Sequence, residues 1–155
     1  MSIEAIAIQR GAGKTVLLRG TGVEYKTEGA RPTGGPTFLE FNAAPGFSTG
    51  DHVHSRVEEI WYVVEGTVNI RAGDRMLESG PGDFVLVPPG VAHGVSNPGD
   101  KPAKLVLVIS PAGVHDRYFE ELADLLAKPG PPNPEAVAEL RRRYDTEQLT
   151  TITAS

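Results

Sequence analysis

Residues 46–66 read GFSTGDHVHSRVEEIWYVVEG. His52 and His54 stand one residue apart, and Glu59 follows five residues after His54. A short strand sends residues i and i+2 to the same face, so His52 and His54 project together. Alternation on the following strand puts Glu59, Trp61 and Val63 on one face. A carboxylate in an apolar interior needs a cation or hydrogen bonds to compensate it. His93 follows the turn Pro88-Pro89-Gly90, which can swing it back toward the same interior. Three imidazoles and one carboxylate are a donor set for one divalent transition ion, with coordination positions left open. The chain has 4 histidines, and this set uses all but His115.

The rest of the chain fits a small soluble β-protein. It has 155 residues, enough for one domain with its own core. The barrel core is expected at about 36–110 and C-terminal helices at about 115–145. A net charge of −5 argues against nucleic-acid or membrane-surface partners, which need a positive footprint. There is no cysteine, so a metal has only N and O ligands. Residues 1–10 carry Glu4 and lack a leader's apolar core, so the expected location is cytoplasmic. The 18 glycines and 13 prolines are spread along the chain, which implies many tight turns between short strands.

Strands are expected at 3–8, 14–18, 22–26, 37–43, 52–54, 59–65, 67–72, 75–78, 83–87, 92–97 and 103–109. Residues 29–36, GARPTGGP, read as a flexible loop that could cover a pocket mouth. After Pro111 the period changes. Tyr118, Phe119, Leu122, Leu125 and Leu126 recur at helical spacing, with Asp116 as N-cap candidate. Asn133-Pro134-Glu135 reads as N-cap, N1 proline and acidic first turn of a second helix. Residues 145–155 are a frayed tail or a strand that pairs with a partner. Short strands without intervening helices indicate an antiparallel sandwich or barrel.

Two motifs make this specific. Residues 46–66 follow G-x5-H-x-H-x4-E-x6-G, and residues 82–97 follow G-x5-P-x-G-x2-H-x3-N, with every position matched. The chain thereby resembles the cupin superfamily, in particular small single-domain, quercetin-dioxygenase-like cupins. The resemblance implies a double-stranded β-helix, or jelly-roll, barrel with a short helical appendage. It implies His52, His54, Glu59 and His93 as ligands of one Fe, Mn, Ni, Co, Cu or Zn ion. Glu59 is preferred to Glu58 because it keeps the spacing to Gly66 and the phase of Trp61. Related small cupins are commonly dimers. A homodimer is expected, with the N-terminal strands or the 145–155 tail as exchanged element.

The expected activity is that of a metal-dependent dioxygenase on a small enolisable or aromatic, flavonol-like compound. Glu59 doubles as catalytic base when it leaves the metal. The alternatives are a non-redox isomerase, cyclase or lyase, and a small-molecule-binding module without turnover. Phe38, Trp61, Val63, Phe84, Leu86 and Val95 are the expected substrate-pocket walls. His115 reads as a surface or capping residue, and Arg141-Arg142-Arg143 as a solvated helix face. Gly13-Lys14-Thr15 ends like a P-loop, but Ile8 stands where that motif needs glycine, so it reads as a turn.

Overall fold

The computed structural model describes residues 4–29 and 34–150. Parts of the expected first strand, of the 29–36 loop and of the C-terminal tail lie outside those residues. Eleven strands and two helices are present among the described residues. They are β1 (Lys14–Leu18), β2 (Thr21–Thr27), β3 (Thr37–Ala43), β4 (His52–His54), β5 (Glu58–Glu65), β6 (Val68–Ala72), β7 (Arg75–Ser79), β8 (Phe84–Val87), β9 (His93–Ser96), β10 (Ala103–Ser110), α1 (Tyr118–Leu126), α2 (Pro134–Arg143) and β11 (Thr146–Gln148).

Two antiparallel sheets face each other as a jelly-roll barrel. One runs β1-β2-β3-β10-β5-β8 and the other β11-β4-β9-β6-β7. Alternation fixes what fills the space between them. In β10, Ala103, Leu105, Leu107 and Ile109 point inward, and Leu107 pairs with Trp61 while Ile109 pairs with Glu59. Leu39 and Phe41 of β3 join them. Phe41 sits at the centre of an aromatic cluster, with ring centroids 5.4 Å from Trp61 and 5.3 Å from Phe119.

Two glycines, Gly66 and Gly94, have a steric cause. Gly66 ends β5 with φ +80, and a Cβ there would stand 2.9 Å from the Cα of Ala103. Gly94 follows His93 where β9 passes the 50–51 turn, and a Cβ would meet the Gly50 carbonyl at 2.8 Å. A larger residue at Gly66 would push β5 from β10, and one at Gly94 would push the turn before His52 away from β9, which carries His93.

Three expectations about packing need correcting. Residues 4–8 form no strand. Phe38 is 36% exposed, Phe84 58% and Leu86 43%, all on the outer face of the six-stranded sheet. In β3 the inward set is Thr37, Leu39, Phe41 and Ala43, which leaves Phe38 in phase with Glu40 and Asn42. In β8 the inward residues are Val85 and Val87. A one-residue slip in phase moves every side chain to the other face. The third correction concerns the tail. β11 pairs with the chain's own β4, Thr146 opposite His54.

α2 begins as its sequence predicts. The Asn133 side chain accepts hydrogen bonds from the N–H groups of Glu135 and Ala136, with Pro134 at the first turn. α1 differs, because its N-cap is Arg117 without a side-chain cap. Asp116 instead accepts from the Gly113 N–H at 3.0 Å. No described helix is long and apolar enough to cross a membrane.

Candidate metal centre

β4 and β9 bring the histidines together. His52 lies directly opposite His93 in the ladder, and His54 shares their face. The ring centroids of His52 and His93 are 4.3 Å apart. Glu59 arrives from β5, in the facing sheet. Ligand atoms of His52, His54, Glu59 and His93 all lie within 4.8 Å of one another, and all four residues are buried. Glu58 is only half-buried and stays outside the cluster, so the phase argument separates the two glutamates.

The hydrogen bonds around the cluster orient it. The Nδ1–H of His52 donates to the Gly50 carbonyl, that of His54 to the Asp145 carbonyl and that of His93 to the Val91 carbonyl, each at 2.9 Å. These tautomers follow from the network, since a carbonyl can only accept. With Nδ1 committed, each Nε2 carries a lone pair toward the interior. His54 Nε2 lies 3.0 Å from Glu59 Oε1, and His93 Nε2 lies 3.1 Å from Oε2. Lone pairs facing carboxylate oxygens repel unless a cation lies between them. Protons or a metal ion meet that need, and the N/O donor set suits a divalent transition ion. The residues therefore fit the expected metal.

Glu59 is also clamped. Trp61 Nε1–H donates to its Oε2 at 3.0 Å. Burial pushes the Glu59 pKa up, but the bonds from His54 and His93 outweigh burial and hold it well below the usual value. Burial pushes His54 down, and Glu59 more than reverses this, leaving it raised. Burial, with the His93 ring beside it, takes His52 down to about 3.

The cluster opens onto a cavity of about 40 Å³. Trp61 lines it, as expected. Val63 and Val95 are buried but lie away from it as core filling. Most of its other walls come from segments outside the two motifs. Phe41 and Phe47 belong to the barrel, while Tyr118, Phe119, Leu122 and Leu126 belong to α1. Arg141 of α2, Thr146 of β11 and His115 complete it. The helices are thus a roof over the site.

His115 and Arg141 overturn their surface assignments, because both are buried. The His115 ring stands 4.8 Å from that of His54. Thr146 Oγ1 donates to the Tyr144 carbonyl and lies 3.2 Å from both His115 Nε2 and His54 Nδ1. The hydroxyl therefore accepts from His115 Nε2–H, which leaves His115 Nδ1 a lone pair without a partner among the described residues. Burial, reinforced by His54, lowers His115 to about 4. Asp145 ties this corner together. Its carbonyl holds His54, and its carboxylate accepts from the N–H groups of Ser55 and Arg56.

Residues 39–109 match the family model described as Cupin domain. The chain carries a cupin domain. Over 66 residues, 43% of this chain, it is 35% identical to the xanthan biosynthesis protein XanB of Xanthomonas campestris, of which that stretch is 14%. Over 68 residues, 44% of this chain, it is 31% identical to the tetracenomycin polyketide synthase protein TcmJ of Streptomyces glaucescens, of which it spans 46%. The cupin domain therefore matches less than half the length of either relative. Among solved structures, the polyketide cyclase RemF from Streptomyces resistomycificus superposes with a TM-score of 0.60 at 25% identity. That similarity covers 70% of this chain and 80% of RemF.

Proposed function

We propose that this cupin is a metal-dependent enzyme acting on a small enolisable compound with an apolar or aromatic body. One observation carries the reading: a buried His52–His54–Glu59–His93 cluster, oriented by backbone carbonyls, opens onto an aromatic-walled cavity. A divalent transition ion held there supplies Lewis acidity at a substrate oxygen and, if redox-active, chemistry with dioxygen.

The chain's own residues set the rest. His52, His54, His93 and Glu59 hold the ion, and Trp61 fixes the carboxylate. Held on the ion and bonded by Trp61 Nε1–H, Glu59 is a weak base where it stands. The unpartnered Nδ1 of neutral His115 is the better acceptor for a substrate hydroxyl. Phe41, Phe47 and Phe119 exclude water and strengthen each polar interaction within.

Oxygenation of the enolised substrate is the first reading, since the ligand set leaves positions for both substrate and O2. A second reading is metal-assisted ring closure without O2, favoured by the likeness to the polyketide cyclase RemF. The test is elemental analysis, then O2 uptake with a flavonol as probe. Metal-dependent O2 consumption supports the first, and turnover without O2 selects the second. Binding without turnover under any of the six metals overturns both. His54→Ala and Glu59→Ala should each lose the stoichiometric metal; full occupancy in both would refute the ligand set.

A further inference from the structure

Arg141 is a cation buried in the cavity with no carboxylate paired to it among the described residues. Only 2% of the residue is exposed, and it lines the same space as His52, His54 and Glu59. Its Nη2 donates to the Thr49 carbonyl. Its Nε and Nη1 are buried and have no hydrogen-bond partner among the described residues. Tyr118 lies within side-chain hydrogen-bonding reach of Arg141, but burial raises the pKa of its hydroxyl, so it supplies no counter-charge. Glu59 is the one acidic residue on the cavity wall among the described residues, and its oxygens already face His54, His93 and Trp61. Arg142 and Arg143 of the same run lie exposed and are tied to Glu139 and Glu121.

A guanidinium taken out of water needs acceptors and a counter-charge. One carbonyl gives a single hydrogen bond and no charge. If Arg141 served only to pin α2 to the 49–50 turn, a neutral donor would suffice. A divalent ion on the cluster would add more positive charge than Glu59 cancels and leave the cavity net positive. Both considerations call for an anionic ligand.

We propose that Arg141 recognises a carboxylate of the substrate, while an oxygen elsewhere on the same molecule reaches the His52–His54–Glu59–His93 centre. The substrate class narrows to enolisable or aromatic carboxylic acids. A carboxylate suits the site better than a phosphate, because a single cation and aromatic walls offer little to a dianion. This rests on the cavity being the substrate site, as proposed above.

The probes are benzoate, its neutral isostere benzamide, and inorganic phosphate, titrated calorimetrically into the metal-loaded and the metal-stripped protein. Benzoate should bind about tenfold or more tightly than benzamide in both forms, as a charge-assisted bond to arginine predicts. Arg141→Gln should erase that preference with metal content unchanged, while Arg142→Gln keeps it. Equal binding of benzoate and benzamide to the unmodified protein overturns the proposal, as does a preference that survives Arg141→Gln. Tighter binding of phosphate than of benzoate overturns the carboxylate assignment. A preference seen only with metal present places the carboxylate on the metal, refuting the role of Arg141 and leaving the metal reading intact. Absence of metal from the native protein instead defeats the metal reading and leaves the benzoate comparison standing. If Arg141→Gln fails to fold by circular dichroism, the metal-stripped unmodified protein still decides.

Discussion

Each histidine at the centre has one nitrogen spoken for and one left for chemistry, and His115 follows the same rule beside them. The titration of His115 makes this measurable. It moves from 6.5 in an unfolded chain to about 4 in the fold. Between these values the unfolded chain binds the extra proton, so stability rises with pH and is lost on acidification. His52, taken to about 3, acts in the same sense. His54 acts oppositely, because its raised pKa contributes stability below 6.5 that is lost as pH climbs through the folded value. The depressed Glu59 contributes stability above 4.5 that is lost as pH falls below it. In metal-stripped protein, thermal stability should therefore fall between pH 6.5 and 4. His115→Gln should remove about 3 kcal/mol of that loss, since each tenfold change in proton affinity is worth about 1.4 kcal/mol. Melting curves across the window check it; an unchanged slope means His115 is not held neutral by burial.

At the scale of elements, the last strand is part of the site. β11 places Thr146 between His54 and His115. Thr146→Val keeps the shape and removes the hydroxyl, while His54 retains the Asp145 carbonyl. Metal affinity should fall by about tenfold, the lower end for loss of a group supporting a ligand. Competition with a chromophoric chelator measures this, and unchanged affinity would make the hydroxyl a spectator. The strands that carry the ligands were legible because HVH, the phase of Glu59 with Trp61 and the turn before His93 are local signals. β11 was not, because Thr146-Glu147-Gln148 has no apolar alternation and its pairing spans about ninety residues. Two misses had a local signal after all. Arg141 stands four residues after Val137, on the buried face of α2, and Phe38 shares its phase with Glu40. In β8, Phe-Val-Leu-Val is apolar on both faces, so alternation there says nothing. His115 lies in a turn, where no period applies.

For the whole molecule the question is how anything reaches the centre. A cavity of about 40 Å³ holds a few waters, far less than an aromatic acid needs. Its roof is α1, so α1 must shift for a substrate to enter. Several ties hold it down. Lys14 of β1 pairs with Glu120, and Tyr144 Oη donates to Glu121 at 2.6 Å. Arg19, in the turn after β1, donates to the carbonyls of Leu126 at 3.0 Å and Lys128 at 3.3 Å, and to that of Gly130. That clasp grips the C-terminal end of α1 and lies away from the metal ligands. Arg19→Ala should cost about 1–2 kcal/mol of stability, the scale for losing charged hydrogen bonds at a partly exposed site. Hydrogen exchange should quicken in α1 amides, and benzoate should associate several-fold faster, because local opening sets the rate of entry. Metal content should stay at the unmodified level. Faster exchange confined to β1, with α1 protected as before, would show that the roof is fastened elsewhere and that entry follows another path.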